Sequence, residues 1–279
     1  QALMLAIDRQ ALNVLHYDGL CTPRQFSPLE GSRFYDERLS TAYVSYDPDE
    51  ANRLLDEAGY GERDEEGYRL HPDGERVAWE MVSTTQPGSA EDECALGVVD
   101  CLADLGIECT YRRVQTSDFY RLLQGNAIQA TWMAGYSYPL LPLRAQYTFL
   151  GFGINSQPWA SAYGYYWYAT DTGESQYDQY AVEPPEDHWI RDLWRIYEQM
   201  AEETDQERWD AAFRTLLETW AAQVPLIGVL GQMPQPVVVH NDLGNYLDGV
   251  PYDPQVGGIH LQGPQQFYWQ HPSEHVGEG

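Results

Sequence analysis

Lysine is absent from this 279-residue chain, so all 16 basic residues are arginines, set against 43 aspartates and glutamates. Without lysine there is no Schiff-base nucleophile, no phosphate-loop ammonium and no lysine-lined groove, and a formal charge of −27 repels a phosphate backbone. No nucleic-acid partner is expected. Nor is there a run of about 18 apolar residues of the kind that crosses a membrane as a helix. Cysteine is scarce: Cys21, Cys94, Cys101 and Cys109 form no CxxC pair and lack metal-site spacing to the seven histidines, so no zinc or other metal is expected. Cys101 and Cys109 can approach one another as the end of a helix and the strand after it, and two buried free thiols are the other reading. GxSxG, HExxH and GxGxxG are all missing. His271 and His275 have helical spacing but flank Pro272 in a turn-rich tail, and no cofactor follows from them.

With 43% hydrophobic and 21% charged residues, the chain has the composition of a soluble globular protein of one large domain or two ordinary ones. On a surface of roughly 12,000 Å², the net charges stand roughly 20 Å apart, beyond the screening length of about 8 Å at physiological salt. The acidity therefore reads as a solvated surface, or as adaptation to high salt.

Helical periodicity over Leu3, Ala6, Ile7, Ala11 and Val14 predicts one amphipathic helix ending before Asp18-Gly19. A loop rich in proline and aromatics leads to Asp47-Pro48-Asp49-Glu50, a helix start with Asp47 as cap, Pro48 in the first turn and Glu50 completing a capping box. Gly59 is its stop. Residues 61 to 75 read as an exposed hairpin or turn. Then Val77, Trp79 and Met81 alternate as a strand, Cys94 to Leu105 form a helix closed by Gly106, and Ile107, Cys109 and Tyr111 form a second strand. Ser117 caps a short helix, and Ile128, Ala130 and Trp132 form a third strand. The β-α-β-α-β order requires crossovers, hence an α/β fold with a parallel or mixed sheet flanked by helices. An aromatic, period-free stretch occupies residues 136 to 180. A helical hairpin follows, built on Trp189, Leu193, Ile196 and Met200 and on Trp209, Phe213, Leu216 and Trp220. Strands are expected at Val224 to Leu230 and Val237 to His240, and an extended piece at Gln265 to Trp269.

Several of these pieces, in this order, resemble the C-terminal part of the family 5 extracellular solute-binding proteins, the oligopeptide, dipeptide and nickel group that serves ABC importers. The resemblance is carried by Arg9 within Gln1 to Leu12, by the stretch from Tyr46 to Tyr60, by Gly106-Ile107 after a helix, by the helical hairpin, and by Val224-Pro-Leu-Ile-Gly228. It implies a periplasmic-binding-protein-like lobe, the second of a two-lobed hinge protein whose first lobe is largely missing. Residues 1–240 would be that lobe, and 241–279 a segment crossing back to the first, with a flexible tail. The chain opens on Gln1 inside a helix and reads as a fragment. By the same resemblance the protein is not an enzyme but the binding component of an importer. It would be extracytoplasmic, in the periplasm or at the cell surface as a membrane-anchored lipoprotein, and monomeric. It would deliver a small polar solute, an oligosaccharide or oligopeptide, to permease subunits.

Peptide-binding members place an aspartate a few residues after a strand tryptophan, where it pairs with the peptide ammonium. Aligning Trp132 and Pro139 with that pattern puts Gly135 at the aspartate's position, and no carboxylate lies between Trp132 and Asp171. A desolvated ammonium without a partner is costly, so ordinary peptide recognition is in doubt. In its place stand Tyr136, Tyr138, Arg144 and Trp159 among further rings, whose apolar faces and polar tips suit a sugar. Trp132, Gly135, Tyr136, Tyr138, Arg144 and Trp159 are the candidate ligand-binding residues. Trp132 and Tyr136 lead, because they stand at the C-terminal end of a predicted strand, where α/β sheets place ligands. The alternative is a secreted carbohydrate-active hydrolase using paired carboxylates, but among 43 acids no pair stands out by spacing.

If the acidity is an adaptation to salt, the melting temperature falls as salt is lowered below about 1 M, where screening over roughly 3 Å is lost; a Tm independent of salt removes that reading.

Overall fold

The computed structural model describes residues 1–133, 149–151, 159–173, 175–234, 236–247 and 263–274. Where the periodicity predicts one N-terminal helix, there are two, α1 (Ala2–Leu5) and α2 (Arg9–Tyr17). Asp8 is the reason: its Oδ1 accepts the Ala11 amide at 2.9 Å and so starts a new helix. Leu5, Ala6 and Ile7 are buried, whereas Val14 is 55% and Leu15 74% exposed, so the apolar pattern is not one continuous stripe. Next come β1 (Thr22–Pro23) and α3 (Glu37–Thr41).

The helix α4 (Pro48–Leu55) starts as expected, with Asp47 accepting the Glu50 amide at 3.0 Å. The expected capping box is only half made, because the Glu50 carboxylate turns to Arg53 at 2.6 Å instead. A π turn, Asp56–Tyr60, follows, in which Gly59 takes φ 94°. The turn is held by Arg69, which is 1% exposed and donates to Asp56 Oδ1 and Asn52 Oδ1, each at 2.6 Å, and to Leu105 O at 2.9 Å.

The central unit alternates β2 (Ala78–Ser83), α5 (Ala90–Asp104), β3 (Glu108–Arg113), α6 (Thr116–Gln124) and β4 (Ala130–Trp132). The strands form one parallel sheet in the order β3-β2-β4. The α/β expectation holds; among the described residues the antiparallel pairing is two small ribbons elsewhere and two isolated bridges, Arg63 with Arg69 and Leu70 with Arg76. Ser117 does not cap α6: the cap position is two residues earlier, at Gln115, and no side chain caps the helix. One core gathers Leu5, Ile7, Leu12, Val77, Met81, Cys94, Val98, Leu102, Leu105 and Ile107 around this sheet. All four cysteines are free thiols, and burial pushes that of Cys94 up to about 12.

A second core is aromatic. It joins α7 (Ser161–Asp171) to the hairpin of α8 (Ile190–Glu202) and α9 (Gln206–Gln223) through Phe34, Phe149, Leu150, Trp159, Trp194, Phe213 and Trp220. Of the strand expected over Val224 to Leu230, only β5 (Leu230–Gly231) forms, antiparallel to β1. Val224 instead closes α9 at φ 45°, and Pro225 follows it without an amide to donate. No strand forms at Val237 to His240, where Val238 is 99% exposed. A last ribbon pairs β6 (Leu243–Gly244) with β7 (Tyr268–Trp269), so the expected extended piece is a short strand preceded by the 3-10 turn Pro264–Gln266.

The two cores meet at a polar node. Arg9, 1% exposed, donates from Nε to Gly228 O at 3.0 Å and from Nη1 to Met4 O at 2.7 Å. Gln25 takes the Gly228 amide at 2.8 Å and donates to Ala42 O at 2.9 Å. A Cβ on Gly228 would lie 2.5 Å from both Arg24 O and Gln25 Cα, backbone atoms that cannot swing aside. Gly228→Ala therefore destabilises the fold by roughly 2 kcal/mol, read as a lower urea midpoint at unchanged slope.

Candidate functional site

The three parallel strands end side by side. Ser83, last in β2, is in register with Arg113 on β3 and with Trp132 on β4. In-register residues put their side chains on one face and strands lie about 4.8 Å apart, so a guanidinium, a hydroxyl and an indole form a row about 10 Å long. The row lies on the C-terminal edge of the sheet, the edge at which open α/β sheets take their ligands.

Hydrogen bonds tie the row to the first turn of α5. Ser83 Oγ lies 3.2 Å from Trp132 O and 3.1 Å from Thr85 Oγ1, and it accepts the Thr85 amide at 3.1 Å. Thr85 Oγ1 is 2.7 Å from the Tyr111 hydroxyl and 3.0 Å from Asp92 Oδ1. Asp92 has no exposed side-chain surface and accepts from Arg113 Nε at 2.6 Å, Arg113 Nη2 at 2.9 Å, the Gly88 amide at 2.9 Å and the Tyr111 hydroxyl at 3.1 Å. Arg113 stands over the Tyr111 ring, 5.0 Å from its centroid, and keeps 36% of its side chain exposed. The Arg113 guanidinium, opposed by burial and helped by the Gly88, Thr85 and Tyr111 donors, holds the Asp92 carboxyl well below the usual carboxylate range. Asp92 in turn holds Arg113 above its ordinary value.

Of the residues singled out from sequence, Trp132 is where it was expected, closing β4. Its Nε1 is buried and has no hydrogen-bond partner among the described residues. Trp159 is 7% exposed: Trp189 stacks on it at 5.4 Å and 6°, and Trp220 meets it edge-on at 5.0 Å. Gly135, Tyr136, Tyr138 and Arg144 lie outside the described residues. Ser83, Thr85, Asp92, Tyr111 and Arg113 escaped the sequence reading. The signal was there: the alternation Val77, Trp79, Met81 continued by two reaches Ser83, and Ile107, Cys109, Tyr111 continued by two reaches Arg113. Among the described residues, no group of three or more His, Cys, Asp or Glu could hold a metal ion.

A family model described as bacterial extracellular solute-binding proteins, family 5 Middle, matches residues 1–157. No curated protein matches the chain. Among solved structures, an oligopeptide-binding protein OppA superimposes with a TM-score of 0.78 at 25% identity, over 97% of this chain and 43% of that one. MelB, a periplasmic binding protein from Agrobacterium fabrum in complex with stachyose, gives 0.62 at 16% identity over 82% and 32%. A mannohexaose-bound periplasmic oligopeptide-binding protein from Thermotoga maritima gives 0.57 at 17% over 88% and 43%. These last two likenesses are of fold alone. The chain thus spans less than half the length of each of these three neighbours.

Asp92→Asn removes the charge that faces Arg113 and sets an amide NH2 against the Arg113 Nη2 and Gly88 donors, and costs about 2–3 kcal/mol in urea unfolding at neutral pH. A carboxyl depressed in the folded state contributes stability that is full above its unfolded value, about 3.9, and is lost as pH falls toward the folded one. The variant therefore loses stability less steeply than the parent as the medium is acidified below about pH 4.

Proposed function

The chain belongs to the bacterial extracellular solute-binding proteins of family 5, and from that membership we propose that it supplies one wall of a solute-binding cleft for an ABC importer. Residues 1–240 act as one lobe in this reading, and the segment from Asn241 crosses toward the opposing one. The observation that carries it is the row Arg113, Ser83 and Trp132 at the C-terminal edge of the sheet. The unspent N–H donors of the part-exposed Arg113 stand there beside the Trp132 indole, with the buried Ser83 holding the two level. Such a row suits an oligosaccharide or an oligopeptide, since each offers hydroxyl or carbonyl acceptors and apolar C–H surface. Gly135, standing where peptide-binding members carry an aspartate, tilts the choice toward the saccharide. Trp159 enters as a support of the aromatic core behind the wall, with Tyr136, Tyr138 and Arg144 as further contacts.

Solute lying between two lobes favours the closed state by whatever contacts it makes only there, and the closed, loaded form is what the permease subunits receive. The protein works outside the cytoplasm as a monomer, lipid-anchored; among the described residues no helix is long and apolar enough to cross a membrane. A paired-carboxylate hydrolase draws no support from the row, whose one buried acid, Asp92, is spent on Arg113.

The test is a thermal-shift titration of the protein expressed from its full gene against matched panels of oligosaccharides and oligopeptides, with each ligand checked afterwards by mass spectrometry. A saturable rise in Tm with unchanged ligand is expected, equivalent to about 2.7 kcal/mol at a hundredfold excess over Kd. Turnover of the ligand overturns the reading.

A further inference from the structure

We propose that Arg113 reads a carboxylate on the captured solute, with Asp92 as the residue that positions it. The inference rests on the binding reading above and narrows its ligand class. A guanidinium has five N–H donors in a planar array. Asp92 takes one fork of it, through Nε and Nη2. The Nη1 group and the second N–H of Nη2 have no acceptor among the described residues, and they form the other fork on a side chain 36% exposed. A free fork fixed in direction by a buried carboxylate is the geometry that takes a second carboxylate by two parallel hydrogen bonds.

The place is as telling as the fork. Arg113 ends β3 in the same row as Ser83 and Trp132, so a solute lying along the row meets the indole at one end and the guanidinium at the other. Asp92 is locked by the Gly88 amide, Thr85 and Tyr111 as well as by Arg113, so it does not leave when a second anion arrives. Glu93, exposed in the next position, is the other acid acting on Arg113; the two carboxylates outweigh the one guanidinium, so recognition here works through hydrogen-bond direction and not through net charge. The sequence after Trp132 agrees in sign: from residue 133 to 170 the only charged side chain is Arg144, with no acid to meet a cationic group.

The test is calorimetric titration of the protein from its full gene with two matched pairs of probes. One pair is trigalacturonate and its neutral methyl ester; the other is a pentapeptide with a free C-terminus and its C-terminal amide. In at least one pair the acid binds roughly 10- to 100-fold more tightly than its neutral counterpart. Arg113→Gln brings that ratio close to one, and Arg113→Lys, which keeps the charge and loses the fork, leaves it intermediate. The responding pair says whether a uronate or a peptide terminus is the source. Should Arg113→Gln fail to fold, the ratio in the parent protein and its fall in Arg113→Lys decide. Equal binding of acid and neutral probes, or a preference that survives Arg113→Gln, overturns the inference and leaves the binding reading standing. Binding of no probe counts against both, and turnover of any probe against the binding reading alone.

Discussion

The structure depends on a cation buried among backbone carbonyls. Arg9 has almost no contact with solvent and makes no ion pair with an acid among the described residues, yet it donates to Met4, Ile7, Val44 and Gly228 carbonyl oxygens. Burial lowers its pKa to about 10, still well above neutrality, so the group stays charged and must keep its acceptors. Those acceptors come from segments more than 200 residues apart. They bring the N-terminal helices and the β1–β5 ribbon to one point, between a core built on the sheet and a core built on aromatic rings. Gln25 doubles the link, and the bare backbone of Gly228 lets it close. The complete replacement of lysine by arginine fits this use. Arg24 and Arg69 are likewise buried with several carbonyl or amide oxygens each, a task for a planar fork and not for an ammonium.

From that junction the path to the site is short. The sheet beside it is parallel, so its strands all end on one edge, and the register brings Arg113, Ser83 and Trp132 level there. Had the strands been offset by one residue, these three side chains would lie on opposite faces. The Asp92 network fixes the level: it holds the exit of β3 through Arg113 and the exit of β4 through Ser83 and the Trp132 carbonyl, using one loop after β2. The atoms that hold this edge level are therefore also those of the proposed solute wall.

How far the sequence reveals this depends on the range over which each feature is decided. Local features read well: Asp47 and Pro48 start α4, Gly59 turns the chain with positive φ, and apolar residues at every second position point to β2, β3 and β4. Features set by a distant partner do not. The apolar run after Val224 is extended in composition but finds a strand partner only at Leu230 and Gly231, whereas the break at Asp8 is local, a cap that hydrophobic spacing alone passes over. In the candidate site, Trp132 was legible because an aromatic residue at a strand end stands out. Ser83 and Arg113 were not, because their importance lies in being level with Trp132, and register is not written in one strand. Asp92 was hidden differently: as one of 43 acids it is distinguished only by burial and by the four donors around it.

The overall charge does not determine the sign of the solute that the proposed wall at this edge would take. Most of the 27 net negative charges act on the edge from beyond the screening length of about 8 Å, where salt removes most of their effect. The Asp92 carboxylate and the Arg113 guanidinium are within 3 Å of one another and partly shielded from water, where no mobile ion fits between them. An anion meeting the free fork of Arg113 is governed by the same short range. A strongly acidic protein can hold an acidic solute provided that the contact is local and directional, and a guanidinium whose direction is fixed by Asp92 meets both conditions.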